Sequence, residues 1–251
     1  MILVQLQQLN TADVLLKSAF ILANQLGKSF GVLSFVEDDE LIDTSENELN
    51  QLLSDTPFWV RNSKTNTLVT VCEELEASFL FMQLPQGQSR SIRQRLNLCR
   101  DLRIPYLFYK DSFGELNPSN VILPIGFLEE ELEKAQFAVA FGRFCGSEIT
   151  MLLANDSGSK AATNAEKMKV LFDKFDFKYS IEKARKDSFK VEIESIQVAE
   201  NKGAGIIIVS ASRDYGLDDI LFGPKEYQVV KKSSVPVLLV NPRGDLYALC
   251  D

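Results

Sequence analysis

Short apolar runs recur along the chain, and stretches with apolar residues three and four apart lie between them. The runs are ILVQLQ (Ile2–Gln7), FGVLSFV (Phe30–Val36), FLFMQL (Phe79–Leu84), IPYLFYK (Ile104–Lys110), VILPIG (Val121–Gly126), EITMLLA (Glu148–Ala154), GIIIVS (Gly205–Ser210) and VPVLLVN (Val235–Asn241). Near-continuous runs of this length predict parallel strands covered on both faces, and the stretches between them predict the covering helices. After the first run, Leu16, Ala19, Phe20 and Ala23 fall on one helical face; after VILPIG, Leu132, Ala135, Val139 and Gly142 do the same. Gly27 and Gly146 then end these helices, as glycine does just past a C-terminus. Phe175, Phe177, Tyr179 and Ile181 alternate along a further strand, and the period of two predicts that this aromatic face is core. The polar stretch Glu37–Asp55 reads as a loop and a helix.

The pattern repeats. One shift of 119 residues relates Ile2 to Val121 and Gly27 to Gly146. An offset shared by a strand, a helix and its stop is the signature of an internal duplication. Pro105 and Pro236 hold equivalent places at the start of the last run of each half, where a strand tolerates proline. Each half therefore reads β-α-β-α-β-α-β-α-β. The fold class is α/β: two tandem Rossmann-like domains, 1–115 and 116–251, joined near Gly114–Asn120, the second with a short C-terminal tail.

Composition narrows the chemistry. At 251 residues, 45% hydrophobic and 25% charged, the chain has the makeup of a soluble globular protein of one large or two small domains. No apolar run approaches the ~20 residues of a membrane span. MILVQLQQLN lacks the basic start and long apolar stretch of a secretory leader. Cys72, Cys99, Cys145 and Cys250 are widely spaced, as in a reduced, cytoplasmic protein. A net charge of −8 argues against nucleic acid as partner. The basic stretch Arg90, Arg93, Arg95, Arg100 and Arg103 lacks interleaved aromatics and reads as a solvated helix face. There is no histidine. Ser-His and Cys-His nucleophile pairs, imidazole bases and the commonest zinc ligand are thereby excluded.

The segment SASRDYGLDDILFGPKEYQVVKKSSVPVLLV (Ser210–Val240) lies where a phosphate-binding turn would join two parallel strands. Together with the tandem repeat and the final VPVLLV strand, it resembles universal stress proteins of the tandem type, over nearly the whole chain and most clearly from Val121 to Asn241. The resemblance implies an adenine nucleotide alpha hydrolase-like fold with five parallel strands per unit in the order 3-2-1-4-5. Nucleotide-binding members carry G-x-x-G-x9-G-[S/T] after the fourth strand and an aspartate at the end of the first. Here the first glycine falls on Ser210 and the second on Arg213; Gly223 is retained, the Ser/Thr falls on Pro224, and the aspartate falls on Gly126. In the first half the aspartate falls on Gln7, and the shorter loop after Gln83 holds only Gly87.

The departures have physical weight. Glycine permits positive φ and close approach of phosphate to backbone, whereas Arg213 carries a long side chain there. Pro224 suits a first helical position but removes a donor. Asp214, Asp218 and Asp219 in the loop, and Glu129, Glu130 and Glu131 after the first strand, repel a polyphosphate unless Mg²⁺ intervenes; Arg213 and Lys225 oppose this in part. Two readings of Arg213 stay open: an oxyanion contact through its guanidinium fork, or a solvated loop residue. Gly216 and Gly223 are explained as a turn and a helix start.

The resemblance implies a stress-response role, and the departures make the expected function a non-catalytic scaffold that has lost ATP binding in both halves and acts by dimerisation or protein contact. No cofactor, metal, nucleic acid or membrane is expected. The resemblance also implies that the last strands, Ile104–Lys110 and Val235–Val240, pair within the chain as a pseudo-dimer. The alternative is an adenine-nucleotide or small-anion sensor using the cleft of Gly126, Ser210, Arg213, Gly216, Gly223 and Pro224. A nucleotide hydrolase would need a base from Asp214, Asp218, Asp219 or Glu129–Glu131.

Overall fold

The computed structural model describes residues 1–53, 55–85, 89–212 and 225–242. The chain divides into two compact units, Met1–Leu116 and Asn117–Asp251.

Unit 1 alternates β1 (Ile2–Leu6), α1 (Asp13–Gln25), β2 (Phe30–Val36), α2 (Ile42–Leu53), β3 (Phe58–Asn62), α3 (Leu68–Glu74), β4 (Phe79–Leu84), α4 (Ser89–Cys99) and β5 (Tyr106–Lys110). The order is β3-β2-β1-β4-β5, with every neighbour parallel. β1 and β4 are buried along their whole length, which is why their sequences show no polar alternation.

Unit 2 repeats this with β6 (Asn120–Ile125), α5 (Ala135–Ala140), β7 (Glu148–Leu153), α6 (Lys160–Asp173), β8 (Tyr179–Lys183), α7 (Val191–Lys202), β9 (Ile206–Ser210), α8 (Lys225–Lys232) and β10 (Val237–Val240). Its order is β8-β7-β6-β9-β10, again parallel. Register makes the repeat concrete. Ile2 faces Phe30 and Phe79 as Val121 faces Ile149 and Ile206. Pro105 and Pro236 stand just before β5 and β10, and each lends its carbonyl to the neighbouring strand (to Leu80 N and Ile207 N, both 3.1 Å). Gly27 and Gly146 adopt φ of +61° and +66°, the left-handed stop expected of them. Among the described residues no helix is long and apolar enough to cross a membrane.

Three expectations need correction. The buried stripe of α1 is Leu15, Ser18, Ala19, Leu22 and Ala23, while Phe20 is exposed. A serine belongs to the stripe because its hydroxyl is satisfied: Ser18 Oγ donates to Val14 O at 2.7 Å and lies 3.0 Å from Tyr109 Oη. Phe20 instead meets Phe30 edge-on at 6.0 Å.

The aromatic alternation after α6 is not core either. β8 begins only at Tyr179 and is an outer strand of unit 2; Phe175 and Ile181 are exposed. The buried ring is Phe172, on which Phe177 and Tyr179 pack at 5.1 and 5.5 Å. Finally, Arg95 leaves the solvated face of α4. It is buried, with Nη1 3.5 Å from Gln5 Oε1, and burial lowers its pKa to about 10.

Candidate functional site

In a sheet of this order the crevice opens where the strand sequence reverses, beyond the carboxyl ends of the first and fourth strands. In unit 1 that is the end of β1 and of β4; in unit 2, of β6 and β9. The ladder registers make Gln83 and Ser210 equivalent, and likewise Gln7 and Gly126.

In unit 1 a side chain bridges the two strand ends. Gln83 is fully buried at the end of β4. Its Oε1 accepts from the amides of Gln7 (2.8 Å) and Gln8 (3.0 Å). Its Nε2 donates to Gln8 O (3.0 Å), Thr11 Oγ1 (3.0 Å) and Asp111 Oδ1 (3.1 Å). One neutral side chain thus ties the chain after β1 to that after β5. An open space of about 450 Å³ lies to the other side, between the ends of β1 and β2 and helix α2, beside Gln7, Ser34 and Glu48.

The crevice of unit 2 is open. A cleft of about 420 Å³ is lined by residues after β6 (Phe127, Leu128, Glu130, Glu131), after β9 (Ser210–Ser212), before α7 (Ser188, Phe189) and at the start of α8 (Lys225). The strand-end amide here is satisfied locally: Gly126 N donates to Glu131 Oε2. A Cβ at Gly126 would lie 2.8 Å from Glu131 Oε1 and 3.1 Å from Ser188 Oγ. The carboxylate of Glu131 therefore occupies the space that a first-strand side chain would take. Glu131 arrives there because the chain turns through a 3₁₀ segment, Glu129–Lys134, before entering α5. Asn164 of α6 holds the same turn by donating to Gly126 O (3.0 Å) and Leu128 O (2.9 Å).

Around this carboxylate sits a buried charge cluster. Lys134 Nζ, with no exposed side-chain surface, lies 3.4 Å from Glu131 Oε2. Lys225 Nζ pairs with buried Glu192 at 3.1 Å. Burial alone would lower the pKa of Lys225, but Glu192, Glu131 and Glu226 outweigh it and the net shift is upward. Glu226 accepts from Ser212 N (3.1 Å) and Ser212 Oγ (2.7 Å); burial pushes its pKa up against those bonds. The three lining serines differ. Ser188 Oγ donates to Asp156 and Ser212 Oγ to Glu226. Ser210 is 2% exposed, and among the described residues its Oγ has no hydrogen-bond partner.

Of the predicted site residues, Ser210 lines this cleft, and Gly126 lies beside it against the lining residue Glu131. Arg213, Gly216, Gly223 and Pro224, with Asp214, Asp218 and Asp219, lie outside the described residues, as do Gly87 and the tail from Arg243. The predicted carboxylate run separates into three fates. Glu129 faces Lys167 at 2.9 Å on the exterior, Glu130 lines the cleft, and Glu131 is buried. Sequence reasoning did not reach Gln83, Lys134, Glu192 and Glu226. The signal for Gln83 was present as the one strongly polar residue inside FLFMQL. The other three are charges on helices, whose inward direction only the packing reveals.

No protein-family model matches the chain, and no curated protein matches it. Solved structures do. A universal stress protein from Archaeoglobus fulgidus aligns with a TM-score of 0.71 at 14% identity, covering 96% of this chain and 98% of that one. A functionally unknown protein from Pseudomonas aeruginosa PAO1 gives 0.67 at 15% identity, over 99% and 94%. A further Pseudomonas aeruginosa structure, assigned as a universal stress protein, gives 0.66 at 16%, over 99% and 95%. At these identities the likeness is one of fold: the chain has the fold of tandem universal stress proteins.

Proposed function

We propose that this chain is a non-catalytic, universal-stress-protein-like scaffold of the stress response, that neither unit holds ATP, and that it works by contact with protein partners, a second copy of itself included. The observation that carries the reading is Gln83. It occupies the switch-point crevice of unit 1 with a satisfied set of hydrogen bonds, and displacing it would strand two backbone donors. In unit 2 the case is electrostatic. Glu130, Glu131, Glu192 and Glu226 line or flank the cleft, and among the described residues its cations Lys134 and Lys225 are already paired. A phosphate charge about 4 Å from one uncompensated carboxylate costs on the order of 4 kcal/mol at an effective dielectric constant of 20. That offsets the whole advantage of a micromolar over a millimolar site. The absence of histidine supports the non-catalytic part of the reading.

A second reading, an adenine-nucleotide or small-anion sensor, is favoured by the open cleft and the ammonium of Lys225 at its wall. One experiment separates the two: thermal unfolding of the full chain with and without ATP and Mg²⁺. At about 1 mM ATP a micromolar site adds about 4 kcal/mol by mass action. The scaffold reading expects no rise in Tm. A rise of several degrees would replace it with the sensor.

A further inference from the structure

Ser210 is the residue the scaffold reading leaves unexplained. Its hydroxyl is buried at the end of β9, lines the cleft and lacks a partner among the described residues, while its two serine neighbours are each bonded to a carboxylate. Buried polar groups are hydrogen-bonded with few exceptions, and an exception inside a cleft marks a place for a water or a ligand atom.

The remaining walls say what kind of ligand. One side is apolar and aromatic: Phe127 and Phe189 stand edge-to-face at 5.4 Å, and Leu128 borders them. Phe189 is 79% exposed, an unusual position for a phenyl ring. Ring faces of this kind attract cations. The charge balance has the same sign. Among the described residues, Lys134 is committed to Glu131, Lys225 to Glu192, and Glu226 to Ser212, whereas Glu130 makes no ion pair. Among the described residues the cleft therefore holds more carboxylate than ammonium, and its volume of about 420 Å³ suits a small molecule.

We propose that the unit 2 cleft binds a small organic amine, a compact cation carried on an aromatic or apolar body. The body rests on Phe127 and Phe189, the ammonium group faces Glu130, and an N–H donates to Ser210 Oγ. The proposal uses the same carboxylate excess as the reading above, so its test separates the two.

Full-length ¹⁵N-labelled protein is titrated with tryptamine, with indole-3-propionate as its counterpart of opposite charge, and with ATP–Mg²⁺. Tryptamine is expected to shift the amides of Ser188, Phe189, Ser210 and Ser212 saturably, with indole-3-propionate at least about tenfold weaker. Glu130→Gln and Ser210→Ala should each weaken tryptamine by about threefold to tenfold while leaving the remaining spectrum in place. Equal or tighter binding of indole-3-propionate overturns the proposal. So does tryptamine binding that neither substitution weakens. If no probe moves these amides at millimolar concentration, the amine site fails and the scaffold reading stands. If ATP moves them and tryptamine does not, both fail.

Discussion

The two switch-point crevices pose the same problem and solve it in opposite ways. Each must satisfy an amide just past the first strand. Unit 1 reaches across from the fourth strand with Gln83, a neutral side chain buried between the strand ends. Unit 2 reaches back from the following turn with Glu131, which requires a buried countercharge at Lys134 and leaves the crevice open. The difference teaches that the two units take the acceptor for one equivalent backbone N–H from different elements: the fourth strand in unit 1, the turn after the first strand in unit 2.

The comparison can be broken most forcefully at Lys134. Replacing it with alanine leaves Glu131 buried without its partner, at a cost of about 3–5 kcal/mol by chemical denaturation. A paired Lys134→Met, Glu131→Gln change should recover most of that loss; failure to recover would show that the pair is not the structural cause. The corresponding break in unit 1 is Gln83→Ala. It strands the Gln7 and Gln8 amides and should cost about 2–3 kcal/mol, less than the ionic case because no charge is left behind. Equal losses in the two units would remove the distinction between a neutral and a charged device.

The smallest effect is a slope. Burial raises the Glu226 pKa in the folded state, so across the window above the usual carboxylate range the native state holds a proton that the unfolded chain has released. Stability from this group therefore falls as pH rises through that window, and is greatest below it. Glu226→Gln should flatten the dependence measured just above the usual carboxylate range; an unchanged slope would mean that Glu226 does not titrate there.

Much of the architecture was legible in the sequence. Near-continuous apolar runs gave parallel strands, and a single offset aligned β1 with β6 and the stops at Gly27 and Gly146. What escaped was the direction of individual side chains at margins. Ser18 faces inward because a tyrosine hydroxyl and a helix carbonyl receive it, and Phe20 faces outward beside it. The alternation Phe175–Ile181 predicted a covered face, but β8 lies at the end of its sheet, a fact of strand order rather than of local pattern. At the site, Ser210 lines the cleft and Gly126 lies beside it, its amide held by the lining residue Glu131. Lys134, Glu192 and Glu226 were not legible, because a charge on a helix is by default solvated and only the opposing charges draw it in.

Gln83 also sets a clock. Gln7 and Gln8 are exposed residues just beyond the end of β1, where amides ordinarily trade hydrogen for deuterium within the fastest class of a protein. Both of their N–H groups are held by one buried oxygen, which is released only if the end of β4 moves. Two surface glutamines should therefore exchange on the timescale of the strand beneath them, reporting the opening of the interior of unit 1 from its outside.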